Sequence, residues 1–350
     1  VSSLGTPAVV CFFLVAAVAT WVSGTYLSKT TDALDNRFGF GEALGGLILL
    51  AITGSLPEIA ITASAALSGH LDLAVGNLIG GVAMQTLVLV LLDAVTGPRR
   101  PLSFLVGSLL PVLEALMVVM VLATAMGGAA LSRSTNIIGA SPSSIAIVVL
   151  WLGGVWVVNR VRHNPAWEVH APQSEAGRRD PREPDPSGKR PYAGSTTARV
   201  VAIFALGSAV TLGAGVVLQA SGNLLAERGG IQGAIFGATF IAAVTALPEI
   251  SSGIAAIRLG DRQLAVSDIL GGNSFQICLL LLADLLAGTP AIVAVRGSDV
   301  WLGALGLVMT AIAAGAIIAR PRRCYLWLGV DSLALIAVYT IAIILLPEVA

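Results

Sequence analysis

The amino-acid sequence predicts an all-α membrane protein with ten transmembrane helices, arranged as two inverted five-helix repeats. Three observations carry this: a composition suited to lipid, ten apolar runs of spanning length, and an internal repeat that aligns without a gap. Of the 350 residues, 56% are hydrophobic and 11% are charged, with a mean hydropathy of +0.88. Soluble domains carry about 25% charged residues, so the deficit points to lipid as the solvent. The formal net charge is zero, which gives no pull toward nucleic acid. Cys11, Cys278 and Cys324 lie in apolar runs without paired spacing, so neither a disulfide framework nor a zinc site is expected.

A spanning helix needs about 20 mostly apolar residues. Five such runs, at 7–27, 41–68, 71–94, 102–127 and 136–158, fill a first half, residues 1–158. Five more, at 198–220, 231–258, 262–287, 298–319 and 324–346, fill a second half, residues 198–350. The first run lacks a basic leader and exceeds the usual signal-peptide core, so it is expected to span rather than be cleaved. Residues 159–197 between the halves are rich in Pro and Arg and poor in apolar side chains, which predicts a disordered linker. With the N-terminus outside, 17 of the 20 Lys and Arg fall in inside loops, eight of them at the linker. Only Arg133, Arg228 and Arg296 fall outside. That bias predicts both termini outside and a cytoplasmic linker. A bacterial inner membrane is the expected location.

Shifting the chain by 191 residues lays it on itself. Leu56-Pro57-Glu58-Ile59 meets Leu247-Pro248-Glu249-Ile250, Gly80-Gly81 meets Gly271-Gly272, Gln85 meets Gln276, and Asp93 meets Asp284. From Ala51 to Asp93 there are 16 identities in 43 positions. An odd number of helices per half turns the second half upside down relative to the first. Inverted repeats of this kind are the plan of secondary transporters, with the binding site at the repeat interface near the midplane.

Glu58 and Glu249 lie deep within their runs, where a carboxylate costs about 2.5–3.5 kcal/mol on insertion scales and is functional by default. Each follows a proline that bends the helix and withholds one backbone bond. Thr53, Gly54 and Ser55 precede one bend, Thr245 and Ala246 the other. Carboxylates, a hydroxyl and freed carbonyls make an all-oxygen set suited to a hard cation such as Ca²⁺. The next helix of each half adds Asn77, Gly81 and Gln85, or Asp268, Gly272, Asn273 and Gln276, as accessory groups. Gln85 and Gln276 lie about two turns beyond Asn77 and Asp268, and can offer amide oxygens to a cation or bond between helices. Paired glycines allow close helix approach. Glu114 is a further mid-helix acid without a repeat counterpart, since position 305 is Leu305. Asp93 and Asp284 sit at helix ends, where capping is expected. No catalytic triad or nucleotide loop occurs, so no enzyme and no cofactor is expected.

These two segments resemble the α-repeats of the calcium/cation antiporter superfamily, which includes sodium/calcium exchangers. The pattern there is a Thr-Ser-x-Pro-Glu bend followed by Gly-Asn-x-x-Gly-Ser-Asn-x-x-Asn. The resemblance implies that Glu58 and Glu249 are the cation-binding acids, with Gly54, Ser55, Thr245 and Ala246 at the ligand positions before them. This chain departs from the pattern at Gly81 and Gly272 (serine there), at Gln85 and Gln276 (Asn or Asp there), and at Ser267-Asp268 (Gly-Asn there). Those serine and Asn/Asp positions serve sodium in sodium-coupled relatives. The expectation is antiport of Ca²⁺ against Na⁺ or H⁺ by alternating access, with Mn²⁺, Mg²⁺ or K⁺ as other cargo. A cation channel and a transport-inactive membrane scaffold are the competing readings. The partners implied are the lipid bilayer and inorganic cations.

Overall fold

The computed structural model describes residues 5–38, 51–130, 139–163, 192 and 194–349. In chain order the helices are α1 (Thr6–Phe38), a helical stretch at 51–54, α2 (Leu56–Ser68), α3 (Leu71–Thr96), the short α4 (Leu102–Leu105), α5 (Leu110–Ala130) and α6 (Pro142–His163). After the linker come α7 (Thr197–Gly229), α8 (Gly233–Phe236), a π-helical turn (Gly237–Ile241), α9 (Ala242–Thr245), α10 (Leu247–Leu259), α11 (Arg262–Ala287) and α12 (Gly297–Ala319). A two-residue hairpin, β1 (Cys324–Tyr325) with β2 (Leu328–Gly329), leads into α13 (Val330–Leu345).

Among the described residues, eight helices are long and apolar enough to cross a membrane, and a bent pair, Gly237–Thr245 with Leu247–Arg258, makes up to nine. The chain is therefore a multi-pass membrane protein of helices. Of the run expected at 41–68, the part before residue 51 lies outside the described residues, as do 136–138 and the linker core at 164–191. The linker expected from residue 159 begins later, because α6 continues through Arg160 and Arg162 to His163.

Two expected spans start elsewhere. The run at 102–127 is broken: α4 ends at Leu105, the chain extends at Val106, and the long helix starts at Leu110. Pro111 explains the restart, because proline fits the first turn of a helix and disrupts its interior. The run at 324–346 begins as the hairpin, whose turn holds Leu326 and Trp327 at φ 50° and 72°, so helix starts only at Val330. Left-handed φ at two consecutive non-glycine residues is incompatible with helix. By contrast α1 and α7 outrun their apolar segments to 33 residues each.

α3 and α11 form the centre. Val75, Leu78, Ile79 and Val82 of α3 share a core with Val118, Val121 and Leu122 of α5 and Ile277 and Leu280 of α11. Lipid is as apolar as leucine, so helix association here depends on close packing and on interhelical hydrogen bonds. The sequence supplies both. Gly80 of α3 faces Ala238, and a side-chain carbon added at Gly80 would collide with it. α1 lies along α7, joined by the Ser23 and Thr211 hydroxyls at 2.7 Å.

The two repeat-related aspartates at the ends of α3 and α11 are buried and each ties together several elements. Asp93 accepts from the Leu102 amide at 2.6 Å, the Gly329 amide at 2.7 Å and the Ser332 hydroxyl at 2.6 Å. Asp284 accepts from the Ala291 amide at 2.5 Å and the Ser141 amide at 2.8 Å. Each carboxylate thus meets the start of a following short helix, α4 for Asp93 and the 3-10 helix Ala291–Ala294 for Asp284, and the start of a late helix from the other part of the chain, α13 or α6. The expected capping role is present and reaches across the repeat. Oriented amides at helix starts suit an anion, which satisfies a charge that burial would otherwise penalise.

Candidate cation site

The two bends are built alike. α2 and α10 are each 13 residues, each opens with Leu-Pro-Glu, and each is closed by a left-handed glycine, Gly69 at φ 79° and Gly260 at φ 88°. Glycine takes that conformation without strain. Ahead of α2 the helix turns at Ser55; ahead of α10 it turns at Ala246, with a bend of 42°. Pro57 and Pro248 carry no amide proton for the carbonyl four residues earlier, which is why the helices break at these points.

The bends are seated by glycines that hydropathy does not reveal. A carbon added at Gly24 of α1 would lie 2.6 Å from the Pro248 ring. A carbon added at Gly215 of α7 would lie 2.5 Å from Ala60 and 3.2 Å from the Pro57 carbonyl. Gly24 and Gly215 are themselves 191 residues apart, so each half's long first helix cradles the other half's bend. The internal repeat contains that signal once the alignment is carried back to residue 24.

Glu58 is 1% exposed. Its Oε1 accepts from Gln85 Nε2 at 3.1 Å, and Thr245 of the other half acts on the same carboxylate electrostatically. Its Oε2 has no partner. Glu249 is partly buried, faces the charge of Glu58, and also has an Oε2 without a partner. Two acids with idle oxygens, from the two bends, therefore meet in one place. Among the described residues no group of three or more His, Cys, Asp or Glu side chains is gathered for a metal. A cation held by these two acids completes its shell with hydroxyl, amide and main-chain oxygens or water, as hard cations commonly do.

The glutamines, related by the repeat, act differently. Gln85 stays in its own half on Glu58. Gln276 crosses to α3, where its Nε2 donates to the Asn77 carbonyl at 3.0 Å and the Leu78 carbonyl at 2.9 Å. It lies against Gly81, where any added carbon would strike the amide. At Gly272 an added carbon meets nothing within 4 Å. Asn273 reaches Thr86 Oγ1 at 3.2 Å and ties α11 to α3. The Asn77 side chain is fully buried with both polar atoms unpartnered. Thr53, Ser55 and Ala246 are buried in the bends, whereas Gly54 is exposed with open space around it.

Two further acids follow: Asp268 beside Glu249, and Glu114 beside Asp268. Ser252 donates to Asp268 Oδ2 at 2.6 Å, and Asp268 faces Glu249 electrostatically. Glu114 faces Ser267, Arg162 and Asp268 electrostatically. Glu114 Oε2 is buried without a partner, while Asp268 is exposed. Ser252 was not among the residues singled out from sequence; its counterpart is Ile61, so the repeat alone could not mark it.

Broken helices that meet at buried carboxylates, in a multi-pass helical protein, define an ion-transporter fold of the discontinuous-helix kind. The chain belongs to the sodium/calcium exchanger protein family, whose model matches residues 8–160 and 199–345. It is 29% identical over 273 residues to inner membrane protein YrbG of Escherichia coli (strain K12), covering 77% of this chain and 75% of that protein. It is 27% identical over 272 residues to the putative antiporter CaxA of Alkalimonas amylolytica, covering 77% and 78%. Among solved structures, the H⁺/Ca²⁺ exchanger CAX matches with a TM-score of 0.69 at 12% identity, over 97% of this chain and 81% of that one. Native YfkE matches at 0.61 and 16% identity, over 98% and 97%. These structural likenesses establish the fold.

Proposed function

We propose that this chain is a secondary antiporter that exchanges Ca²⁺ for protons by alternating access, with Glu58 and Glu249 as the shared carrier acids. The observation that carries the reading is the meeting of two unpartnered carboxylate oxygens from the two proline bends. Ten spans in two inverted halves, both termini outside and a cytoplasmic linker in a bacterial inner membrane complete it. The family match and the relative named as a putative antiporter support exchange of cations.

Protons are favoured over sodium by Gln276. Its amide N–H₂ occupies the Asn77 and Leu78 carbonyls beside Gly81. Carbonyl oxygens already engaged by a donor are poor ligands for a monovalent cation, and neither Gly81 nor Gly272 brings a hydroxyl. Two carboxylates pressed together in a buried site hold protons readily when no divalent ion is there. Divalent cargo and protons then compete for the same oxygens, and only a neutralised pair crosses the closed intermediate at low electrostatic cost.

The test is ⁴⁵Ca²⁺ uptake into proteoliposomes under an imposed pH gradient, or separately under an imposed Na⁺ gradient. Uptake driven by the pH gradient alone, and lost in Glu58→Gln and in Glu249→Gln, is the expected result. Uptake driven by the Na⁺ gradient would replace the proton with sodium. Conduction with no counter-ion gradient would make the chain a channel.

A further inference from the structure

We infer that Glu114 and Asp268, with the Ser252 and Ser267 hydroxyls, form a second divalent-cation station on the linker side of the protein, through which cargo reaches Glu249. The inference rests on the reading of the chain as a cation antiporter. Four elements contribute: α5 brings Glu114, α10 brings Ser252, and α11 brings Ser267 and Asp268. The end of α6 brings Arg162 to its rim. Glu114 lies in the second turn of α5, Ser267 and Asp268 in the second turn of α11, and Ser252 midway along α10.

The donor set is all oxygen. Ser252 donates to Asp268 Oδ2 at 2.6 Å and lies within 3.2 Å of the Glu249 main-chain carbonyl one turn earlier in α10, which ties Asp268 to the helix that carries Glu249. The Ser267 hydroxyl acts on Glu114 electrostatically. Glu114 Oε2 is buried and satisfied by nothing. A carboxylate oxygen withdrawn from water without a donor is strongly disfavoured unless a cation visits it. Asp268, in contrast, is exposed on a helix whose neighbours at Ala265, Val266, Ile269 and Leu270 are buried. A carboxylate facing hydrocarbon is costly, so that exposure marks a water-filled approach. Exposed Asp268, half-buried Glu114 and Glu249, and buried Glu58 thus form a file of acids of increasing depth.

The repeat makes the station one-sided. The counterparts of Ser252, Ser267, Asp268 and Glu114 are Ile61, Gly76, Asn77 and Leu305. None of these is charged and all four are buried. That side is also sealed by the π-helical turn, because a carbon added at Gly237 would meet the Leu73 carbonyl at 2.5 Å and the Asn77 amide at 2.9 Å. An acid pair needed only for fold stability has no reason to be confined to the open side. A station that gathers cations from one compartment does.

Two measurements test this. Equilibrium ⁴⁵Ca²⁺ binding is compared for wild type, for Glu58→Gln/Glu249→Gln, and for that variant with Glu114→Gln and Asp268→Asn added. The expected result is that the carrier-acid variant keeps a saturable site and the fourfold variant loses it. No binding to the carrier-acid variant, or binding that survives in the fourfold variant, overturns the inference. Transport is then measured with Ca²⁺ offered from each side. Glu114→Gln should raise the half-saturating Ca²⁺ concentration about tenfold from the linker side, the scale of losing one charged ligand, and leave the other side unchanged. Glu114→Asp should restore it. An equal shift from both sides overturns the inference. Binding does not depend on exchange, so a chain that binds at both places but fails to exchange sinks the antiport reading and leaves the station standing.

Discussion

Gln276 and Gly81 share one space, and that pairing separates two glycines that look equivalent in sequence. A methyl group at 81 must displace an amide that satisfies two α3 carbonyls. Leaving those buried groups unsatisfied costs about 1–3 kcal/mol. Gly81→Ala should therefore lower the melting temperature in detergent and impair transport. Gly272→Ala has open space and gains helix propensity, so it should hold or slightly raise stability, by at most about 1 kcal/mol. Equal melting temperatures for the two variants would refute the different packing of the two glycines. At this scale the acids were legible in the sequence, because a charge in an apolar run is conspicuous. The partners of the acids were not. A repeat alignment reports which residues match, whereas Gln85 and Gln276 match and yet one bonds within its own half and the other crosses to the opposite one, and Ser252 aligns with an isoleucine.

At the scale of elements, the proline bends and their glycine seats are one mechanical unit. Gly24→Ala and Gly215→Ala each press a methyl group into the opposite half's bend, and overpacking of this kind costs about 1–3 kcal/mol. Both should reduce transport and lower the melting temperature, whereas Gly213→Ala on the same helix as Gly215 meets nothing within 4 Å and should do neither. The bends were legible from Leu-Pro-Glu twice. The break between α4 and α5 was not, because the chain is mostly apolar on both sides of it, at Leu102–Leu105 and from Leu110 on, and hydropathy does not register backbone direction. Pro111 was the available signal, and its preference for a first turn locates the restart of the helix. The hairpin before α13 escaped for the same reason: Leu326 and Trp327 add apolar weight to a run while their backbone excludes helix.

For the whole molecule, the two repeat-related positions differ in access: Asp268 is exposed and Asn77 is buried. In a background lacking Cys11, Cys278 and Cys324, Asp268→Cys should react with a membrane-impermeant thiol reagent from the linker side, while Asn77→Cys should stay unreactive from either side in the absence of a gradient. Reaction of Asn77→Cys at the same rate would show that the two positions are equally accessible. That the chain crosses a membrane many times was legible from lengths and composition; the burial of Asn77 was not, because it depends on how the π-helical turn at Gly237 lies against α3.

The aspartate clasps bear on how such a chain is made. Asp93 is synthesised with the first half, yet two of its three donors, Gly329 and Ser332, leave the ribosome some 240 residues later. Until then a carboxylate waits in the membrane half-satisfied, and the N-terminal part of the chain on its own is an unfinished product. Asp284, made late, finds Ser141 already in place. Two fragments divided within the linker should then be degraded when produced singly and stabilise each other when produced together. The insertion machinery would have to tolerate the early half as a patient intermediate.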